Sequence, residues 1–458
     1  MNVETPKSRF SGMIGFTVIW IGQMFSLMGT NLTGFATTFW AYFITHQATA
    51  LALVGFFNFA PIILASPIAG AVVDRYSRKK IIMLADLFAG LPTVALLLLY
   101  STGNLQVWHL YITGAIAGTF QSFHFPAYSA AVTMLVKKEQ YGRANGMLAT
   151  AQFATAIFAP IVAAVLLTVL GNDQGIKTVM SIDIITFTTA ISMLFFVHIP
   201  RPAITESGRK GMGSIWKESV YGFRYIYERP SLLGLQLVFF FVNLVGSFSN
   251  TLIAPMILAR AGDEAGRVIL GSVMSAGGVG GLVGSLAMMI WGGPKRRVHG
   301  VLGGMMCLSL LGGLLMGFGQ GLFVWALASF LGLFFLPIIN GSNQAIWQAK
   351  VAPDVQGRVF STRLLIAQIS VPIAMLMAGP LADVFFEPAM MPAGVLSPIF
   401  GAFVGTGPGA GMLLMFIIAG ILGVFVALGG YSVRAVREAE DILQDHDAKS
   451  APVGREPT

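Results

Sequence analysis

Charged residues are scarce in this chain of 458 residues: Asp, Glu, Lys and Arg make up 10% of it, whereas 55% is hydrophobic. Soluble globular domains carry roughly 25% charged residues, because a surface that faces water needs them. The shortage excludes an ordinary soluble protein and predicts a surface that faces lipid. Apolar runs of the roughly 20 residues that a helix needs to cross a bilayer recur along the sequence. We therefore expect an all-α integral membrane protein.

Cysteine is almost absent. Cys307 is the single one and lies within an apolar run, which excludes a disulfide within the chain and a zinc site built from several cysteines. The sequence contains no recognisable catalytic triad or paired midplane carboxylates, and its glycine-rich stretches lack the Lys-Ser/Thr of a phosphate loop. The sequence therefore predicts that the protein is not an enzyme and has no metal site and no cofactor. It also predicts that an ion gradient, and not a nucleotide, supplies the energy.

Twelve apolar segments predict twelve transmembrane helices, and an even number places both termini on one side of the membrane. The segments are 13–43, 51–73, 81–100, 107–135, 144–170, 178–198, 231–257, 268–291, 298–318, 322–348, 359–382 and 411–433. Residues 1–198 and 231–433 are thus expected to form two six-helix bundles, joined by a linker at 199–230. The linker pattern predicts an amphipathic interfacial helix, and the polar tail at 434–458 predicts disorder.

Lysine and arginine are distributed unevenly between alternate loops. Twenty-five fall on the side of the termini, and only Lys177, Arg260 and Arg267 fall on the other. Because cytoplasmic loops carry the basic excess, we expect both termini in the cytoplasm and the protein in a bacterial inner membrane. The net charge of +8 is accordingly an orientation signal and predicts no nucleic-acid partner.

An internal repeat relates the two halves. The octets VKKEQYGR, ending at Arg143, and VAPDVQGR, ending at Arg358, follow the fourth span of their halves and are 215 residues apart. Both copies start on the same side of the membrane, so the repeat is parallel. Two such pseudo-symmetric bundles, with substrate between them near the midplane, are a known transporter architecture.

The loop between the second and third spans carries a motif, GAVVDRYSRKK. It resembles the signature G-x-L-x-D-R-x-G-R-[KR] of the major facilitator superfamily, with Ser77 in place of the second glycine. The matching positions are Gly70, Asp74, Arg75, Arg78 and Lys79. The resemblance implies the major facilitator fold and a gate in which these charges latch the two halves together. Arg143 and Arg358 are the predicted partners of Asp74, because an arginine fork pairs well with a carboxylate.

Other motifs resemble exporters of the superfamily. The fifth span keeps Pro160, which bends the helix, and small residues of the antiporter motif G-x8-G-x3-G-P-x2-G-G, with Thr155 and three alanines replacing later glycines. The stretches FHFPA (123–127), KKEQYGRANG (137–146) and GRVFS (357–361) are similar to the macrolide-efflux branch of drug:proton antiporters and to bacterial siderophore exporters. The resemblance implies proton-coupled export of an amphipathic small molecule, such as a macrolide-like drug, by alternating access. We expect a monomer.

Polar residues inside the spans are the candidate functional groups, because they are costly to place there. Asp86, Asp183 and His124 are candidates for carrying a coupling proton. The spans that line the cavity in the superfamily supply candidate substrate contacts: Gln23, Asn31, Gln121, Asn243, Asn250, Asn340, Asn343, Gln344 and Trp347. The first span contains no carboxylate, which argues against a requirement for a cationic substrate.

Two other functions remain open. Within transport, the chain would be a siderophore exporter or a lipid or lysolipid flippase. In another class, it would be a receptor or scaffold that transports nothing. The gate motif favours transport, since a static protein needs no latch.

Overall fold

The computed structural model describes residues 12–45, 48–200 and 215–446, which form helices and their connections without a β-strand. The N-terminal half comprises α1 (Gly12–Thr45), α2 (Ala48–Arg75), α3 (Arg78–Ser101), α4 (Val107–Leu135), α5 (Tyr141–Leu170) and α6 (Asn172–Phe196). The linker contributes α7 (Ile215–Tyr227). The C-terminal half comprises α8 (Pro230–Ala261), α9 (Asp263–Trp291), α10 (Arg297–Phe318), α11 (Leu322–Lys350), α12 (Gln356–Pro380), the short α13 (Ser397–Val404) and α14 (Ala410–Ser432). Part of the linker, 201–214, and the end of the tail, 447–458, for which disorder is predicted, lie outside the described residues.

Eleven helices of the described chain are long and apolar enough to cross a membrane. The twelfth predicted span, α4, has 29 residues and at about 1.5 Å per residue is also long enough. Its hydropathy is lowered by side chains that meet other helices and not lipid, such as Ser122, which is fully buried, and His124, which contacts Gln23 of α1. The predicted all-α membrane fold of twelve helices is confirmed.

The segment 383–410, which lies between the last two predicted spans, contains helical turns. After α12 the chain continues through a π-helical turn, Leu381–Phe386, and reaches α13 after a further bend. The carboxylate of Glu387 accepts hydrogen bonds from the backbone N–H groups of Gly409 and Met412, each at 2.9 Å. These are free N–H groups at the start of α14, so this segment caps that helix.

The two halves touch through pairs of glycines. A Cβ atom on Gly70 of α2 would lie 2.5 Å from the carbonyl oxygen of Gly357 on α12, and one on Gly142 of α5 would lie 1.8 Å from that of Gly292, just after α9. Only glycine permits backbones to approach so closely. Gly142 and Gly357 occupy the same position of the repeated octet, 215 residues apart. The internal repeat of the sequence therefore appears as two equivalent helix crossings.

Candidate functional site

Asp74 lies at the end of α2 and binds the first turn of α12. Its Oδ1 accepts a hydrogen bond from the N–H of Gly357 at 2.7 Å, and its Oδ2 accepts one from the N–H of Arg358 at 3.0 Å. The Nε of Arg358 is 3.2 Å from the same Oδ2, and both side chains are almost completely buried. A carboxylate here meets unpaired N–H groups, the positive end of the helix dipole and a guanidinium together. The arrangement ties the N-terminal half to the C-terminal half.

Glu218 of the linker helix α7 extends this contact. Its carboxylate accepts two hydrogen bonds from Arg75, at 3.0 and 2.9 Å, and its Oε2 is 4.0 Å from the Nε of Arg358. Asp74, Arg75, Glu218 and Arg358 form one cluster, which we call the clasp. Sequence analysis missed Glu218, because an amphipathic pattern assigns a glutamate to the solvated face of a helix, whereas this one is 1% exposed.

Two arginines brace the same end of the bundle in equivalent ways. Arg78 donates hydrogen bonds to the carbonyl oxygens of Ala130 and Pro353. Arg297 donates to those of Ala345, at 2.9 Å, and Lys138, at 2.5 Å. Ala130 and Ala345 are 215 residues apart, and so are Lys138 and Pro353. Arg78 therefore binds α4 of its own half and the short turn that precedes α12 of the other half. Arg297 binds α11 of its own half and the short turn that precedes α5 of the other half.

The tail crosses both halves at this end. The carboxylate of Asp445 binds Lys138 of the N-terminal half and Lys350 of the C-terminal half, each at 2.9 Å. Burial alone would raise the pKa of Asp445, but hydrogen bonds from Lys350 and Lys138 outweigh it and hold that pKa below its ordinary value of 3.8. Glu440 accepts a hydrogen bond from the backbone N–H of Val298 at 2.9 Å. The described part of the tail, through α15 (Arg434–Arg437) and α16 (Ala439–Ile442), is therefore docked.

Two residues predicted for the gate, the motif residue Lys79 and the predicted Asp74 partner Arg143, have other contacts. Lys79 donates hydrogen bonds to the carbonyl oxygens of Phe195 and Val197, at 3.0 and 2.9 Å, within its own half. Arg143 donates to the carbonyl oxygen of Ile290 at 3.3 Å, beside the second glycine crossing. Arg143 and Arg358 hold equivalent positions of the repeat, but their contacts differ. Asp74 of α2 faces Arg358, whereas in the described chain no aspartate of α9 faces Arg143.

Amide side chains mark a cavity beyond the clasp. Gln121 of α4, Asn250 of α8 and Asn340 of α11 are exposed, although each lies inside a membrane helix. An amide that faces lipid would leave its hydrogen bonds unmet. Their exposure therefore indicates a polar cavity between the halves.

Two predicted proton carriers and one predicted cavity residue form a single cluster, in which Gln23 and Asp86 are buried and His124 is half-buried. Gln23 of α1 donates from Nε2 to Oδ2 of Asp86 on α3 at 2.6 Å, and its Oε1 is 2.9 Å from Nε2 of His124 on α4. The same His124 nitrogen is 3.4 Å from Oδ1 of Asp86. Since both neighbours of that nitrogen are acceptors, the hydrogen-bond pattern assigns a proton to it. The cluster joins three helices through groups that can exchange a proton.

Asp183 has a different environment. Thr93 donates a hydrogen bond to its Oδ2 at 2.8 Å and Thr30 donates to its Oδ1 at 3.3 Å. The side chain is 2% exposed, and no cation pairs with it among the described residues. These hydroxyl groups tie α6 to α1 and α3.

The remaining candidates are divided between packing and the cavity. Asn31 donates to Thr155 at 3.1 Å, and Asn243 donates to the carbonyl oxygen of Phe239 on its own helix at 2.8 Å. Asn343 accepts a hydrogen bond from the indole of Trp347 at 3.1 Å, and both are buried. Pro160 lies inside α5, as the bend prediction requires. The last candidate, Gln344, binds Arg363 at 2.9 Å, a buried arginine that sequence analysis passed over.

The chain matches the family model described as Major Facilitator Superfamily over residues 19–375. It belongs to the Major Facilitator Superfamily. Members of this superfamily are transporters and not enzymes, so the chain is a multi-pass membrane transporter of small molecules, similar to efflux proteins. Among curated relatives, Macrolide efflux protein A of Streptococcus pyogenes is 27% identical over 80% of this chain and 89% of its own length. Multidrug efflux pump Tap of Mycolicibacterium fortuitum is 24% identical over 74% of this chain and 83% of its own length.

A weaker relative covers less. The enterobactin exporter of Shigella flexneri is 23% identical over 48% of this chain and 52% of its own length. Solved structures of the superfamily share the fold. A bacterial homologue of the iron transporter ferroportin, in an outward-facing state, aligns with a TM-score of 0.68 at 15% identity, over 92% of this chain and all of that one. The E. coli fucose:proton symporter aligns with a TM-score of 0.61 at 14% identity, over 91% of this chain and 99% of that one.

Proposed function

We propose that this superfamily member is a monomeric, proton-coupled exporter of amphipathic small molecules, such as macrolide-like drugs, that works by alternating access. One observation carries the proposal: a carboxylate, an imidazole and an amide, from Asp86, His124 and Gln23, meet inside the membrane where three helices of one half join. A buried group that gains and loses a proton can bias two arrangements of the helices around it. The relatives named for macrolide and multidrug efflux support export as the direction.

The orientation follows from the basic loops. The clasp, the two bracing arginines and the docked tail lie at the end of the bundle where the chain carries most of its lysine and arginine. Under the positive-inside rule this end faces the cytoplasm of a bacterial cell. We therefore infer that this conformation is closed to the cytoplasm and that its amide-lined cavity is directed outward.

Coupling would act through Gln23. In the present arrangement its Nε2 donates to a carboxylate oxygen and its Oε1 accepts from an imidazole nitrogen. A proton that reaches the pair either neutralises Asp86 or charges His124. Both events change the strength of the hydrogen bonds that hold α1 to α3 and α4, since charge-assisted hydrogen bonds are roughly twice as strong as neutral ones. The protonation state is thereby linked to how these helices pack beside the cavity.

Inverted membrane vesicles energised by respiration test the proposal. Wild-type vesicles should accumulate a labelled macrolide and a fluorescent amphiphile, and a protonophore should abolish the accumulation. Asp86→Asn should lose gradient-driven accumulation but keep exchange of labelled for unlabelled substrate, because exchange needs no net proton movement. Asp173→Asn is the matched control, since that aspartate is exposed and forms an ion pair with Lys177 of its own helix, at 2.7 Å.

The outcomes separate the alternatives. Exchange and accumulation lost together in Asp86→Asn, with folding intact, would indicate a structural role for this carboxylate. Absence of uptake for the whole panel in abundant, folded wild type would reject drug efflux and favour a siderophore or lipid substrate. Unchanged accumulation in Asp86→Asn would move the proton site to Asp183.

A further inference from the structure

Arg363 is a buried cation without a carboxylate partner. It lies on α12, is 9% exposed, and forms no ion pair within the described part of the chain. Arginine stays protonated in proteins, so its charge is present whatever its surroundings. Placing an unpaired charge inside a protein is costly unless other groups compensate it. The described groups that contact Arg363 offset part of this cost, but they carry no negative charge.

The surroundings of Arg363 are polar or aromatic and uncharged. Its guanidinium lies 4.2 Å above the ring centre of Trp347, a favourable cation–π distance, and 5.7 Å from that of Phe360. Its Nη1 donates a hydrogen bond to Oε1 of Gln344 at 2.9 Å. Carboxylates of the neighbouring elements are already engaged, since Asp74 binds Arg358 and Glu218 binds Arg75.

Two neighbouring side chains carry hydrogen-bond donors that have no acceptor among the described residues. They are the Nε–H of Arg363 and the side-chain NH2 of Gln344, and both are buried. The amide cannot be turned over to relieve this, because its NH2 would then face the guanidinium, donor against donor. Buried donors are nearly always paired in folded proteins. The pair therefore offers a set of N–H groups and a positive charge to an absent acceptor.

This site adjoins the cavity. Arg363 follows the clasp residue Arg358 by five positions, about 7.5 Å along the helix axis, on the side away from the closed end. Gln344 is half-buried and lies one helical turn from the exposed Asn340. Residues 364–368 of α12 are likewise half-buried, whereas 356–363 are buried. The orphaned donors thus lie where the fully buried start of α12 gives way to its half-buried stretch, on the side of the exposed Asn340.

We propose that Arg363 and Gln344 bind an anionic group, a carboxylate or a phosphate, of an amphipathic ligand that enters this cavity. The inference rests on the proposed transport function and specifies its substrate class as organic anions with an apolar body. A guanidinium fork with an adjacent amide N–H matches the two oxygens of such a group. The absence of a carboxylate from the described part of the first span agrees with this class.

Binding to the purified full chain tests the inference without a proton gradient. The probes are 11-(dansylamino)undecanoic acid and its primary amide, and the protein is held in phosphatidylcholine nanodiscs. Wild type should bind the acid about tenfold or more tightly than the amide. Arg363→Gln should weaken acid binding about 10- to 100-fold and leave amide binding unchanged, as expected for loss of charged hydrogen bonds. Arg363→Lys should recover part of the acid binding, because lysine keeps the positive charge but lacks the forked N–H groups of a guanidinium.

A second variant guards against misfolding. Gln344→Glu places a carboxylate beside Arg363 as an internal counter-charge, so it should abolish the preference for the acid and raise the Tm. Arg229→Gln is the matched control: Arg229 also stacks on an aromatic ring, 3.6 Å from the centre of Tyr225, but it is half-buried in the short connection between α7 and α8. It should leave the preference intact.

The outcomes are distinct. A wild type with no preference for the acid, or an Arg363→Gln variant that weakens acid and amide equally, would overturn the inference even if proton-driven uptake is observed. Conversely, failure of vesicle uptake leaves the binding result standing. Phosphatidylglycerol in the nanodiscs identifies the source of the anion. If this lipid displaces the acid probe from wild type only, the site takes a lipid headgroup; if it does not, the site takes a free amphipath.

Discussion

Asp74→Asn should open the clasp end of the transporter. The carboxylate holds two backbone N–H groups and the guanidinium of Arg358. Asparagine offers one carbonyl oxygen and turns an NH2 toward the second N–H group. Removing one partner of a buried ion pair costs about 3–5 kcal/mol. Glu218, 4.0 Å from Arg358, recovers part of this loss, so we expect the closed state to lose about 3 kcal/mol relative to the open state.

That loss is large on the scale of conformational equilibria. A change of about 3 kcal/mol alters the ratio of closed to open molecules about 150-fold. A closed state favoured about 100:1 would fall to near parity or below. The cost falls on the closed state alone, because opening exposes the same groups to water, which solvates them.

Spin-label distances measure this shift. In a Cys307→Ser background, labels at Tyr76→Cys and Lys295→Cys lie on exposed loops of opposite halves, between α2 and α3 and between α9 and α10. Asp74→Asn should create a population at longer distance. Asp441→Asn is the control, since it removes a carboxylate from an exposed pair with Arg296 at 3.4 Å, and such pairs contribute little. An unchanged distance distribution in folded Asp74→Asn protein would refute the reasoning.

Three further changes test the same end of the bundle. Gly357→Ala should open it as Asp74→Asn does, because the new Cβ would lie 2.5 Å from Oδ1 of Asp74; a closed distance distribution would contradict this. Glu218→Gln should speed proteolysis of the linker while the halves stay closed, since Asp74 still binds α12; an open distribution would give Glu218 the larger role. The docking of the tail should persist at neutral pH and weaken as pH falls below the ordinary pKa of an aspartate toward the lowered pKa of Asp445. Limited proteolysis across that range should show it, and Asp445→Asn should remove the dependence.

Much of the fold could be predicted from the sequence because the bilayer restricts the amino-acid composition of the helices that cross it. Lipid requires long apolar helices, and the loops then carry the few charges, so span number can be read without tertiary contacts. Helix α4 shows the limit. Its polar residues lower its hydropathy, and the membrane tolerates them because they face other helices. Its length and its place in the alternation of loops support its assignment as a span.

The candidate site was predictable in part. The motif led to Asp74 and the repeat led to Arg358, and the structure places them in contact. Glu218 was missed because nothing local in the sequence distinguishes it from a solvated charge. Arg363 was missed because it lies near the end of its predicted span and was counted with the basic residues that set the orientation. Asp86 and His124 were named as separate candidates. The sequence offered no reason to join them, since they come from different helices that the fold brings together beside Gln23 of a third.

By itself the sequence determined that the chain lies in a membrane, that it is built from two related halves, and where its costly polar groups are. Those properties depend on lipid as the solvent and on the local pattern of apolar and charged residues. The tertiary structure alone decided which charges are paired and which are left without a partner. Pairing depends on how helices far apart in sequence approach each other, as Gly70 and Gly357 do. Among the described residues Arg363 has no counter-charge, because the carboxylates of Asp74 and Glu218 are already engaged by Arg358 and Arg75.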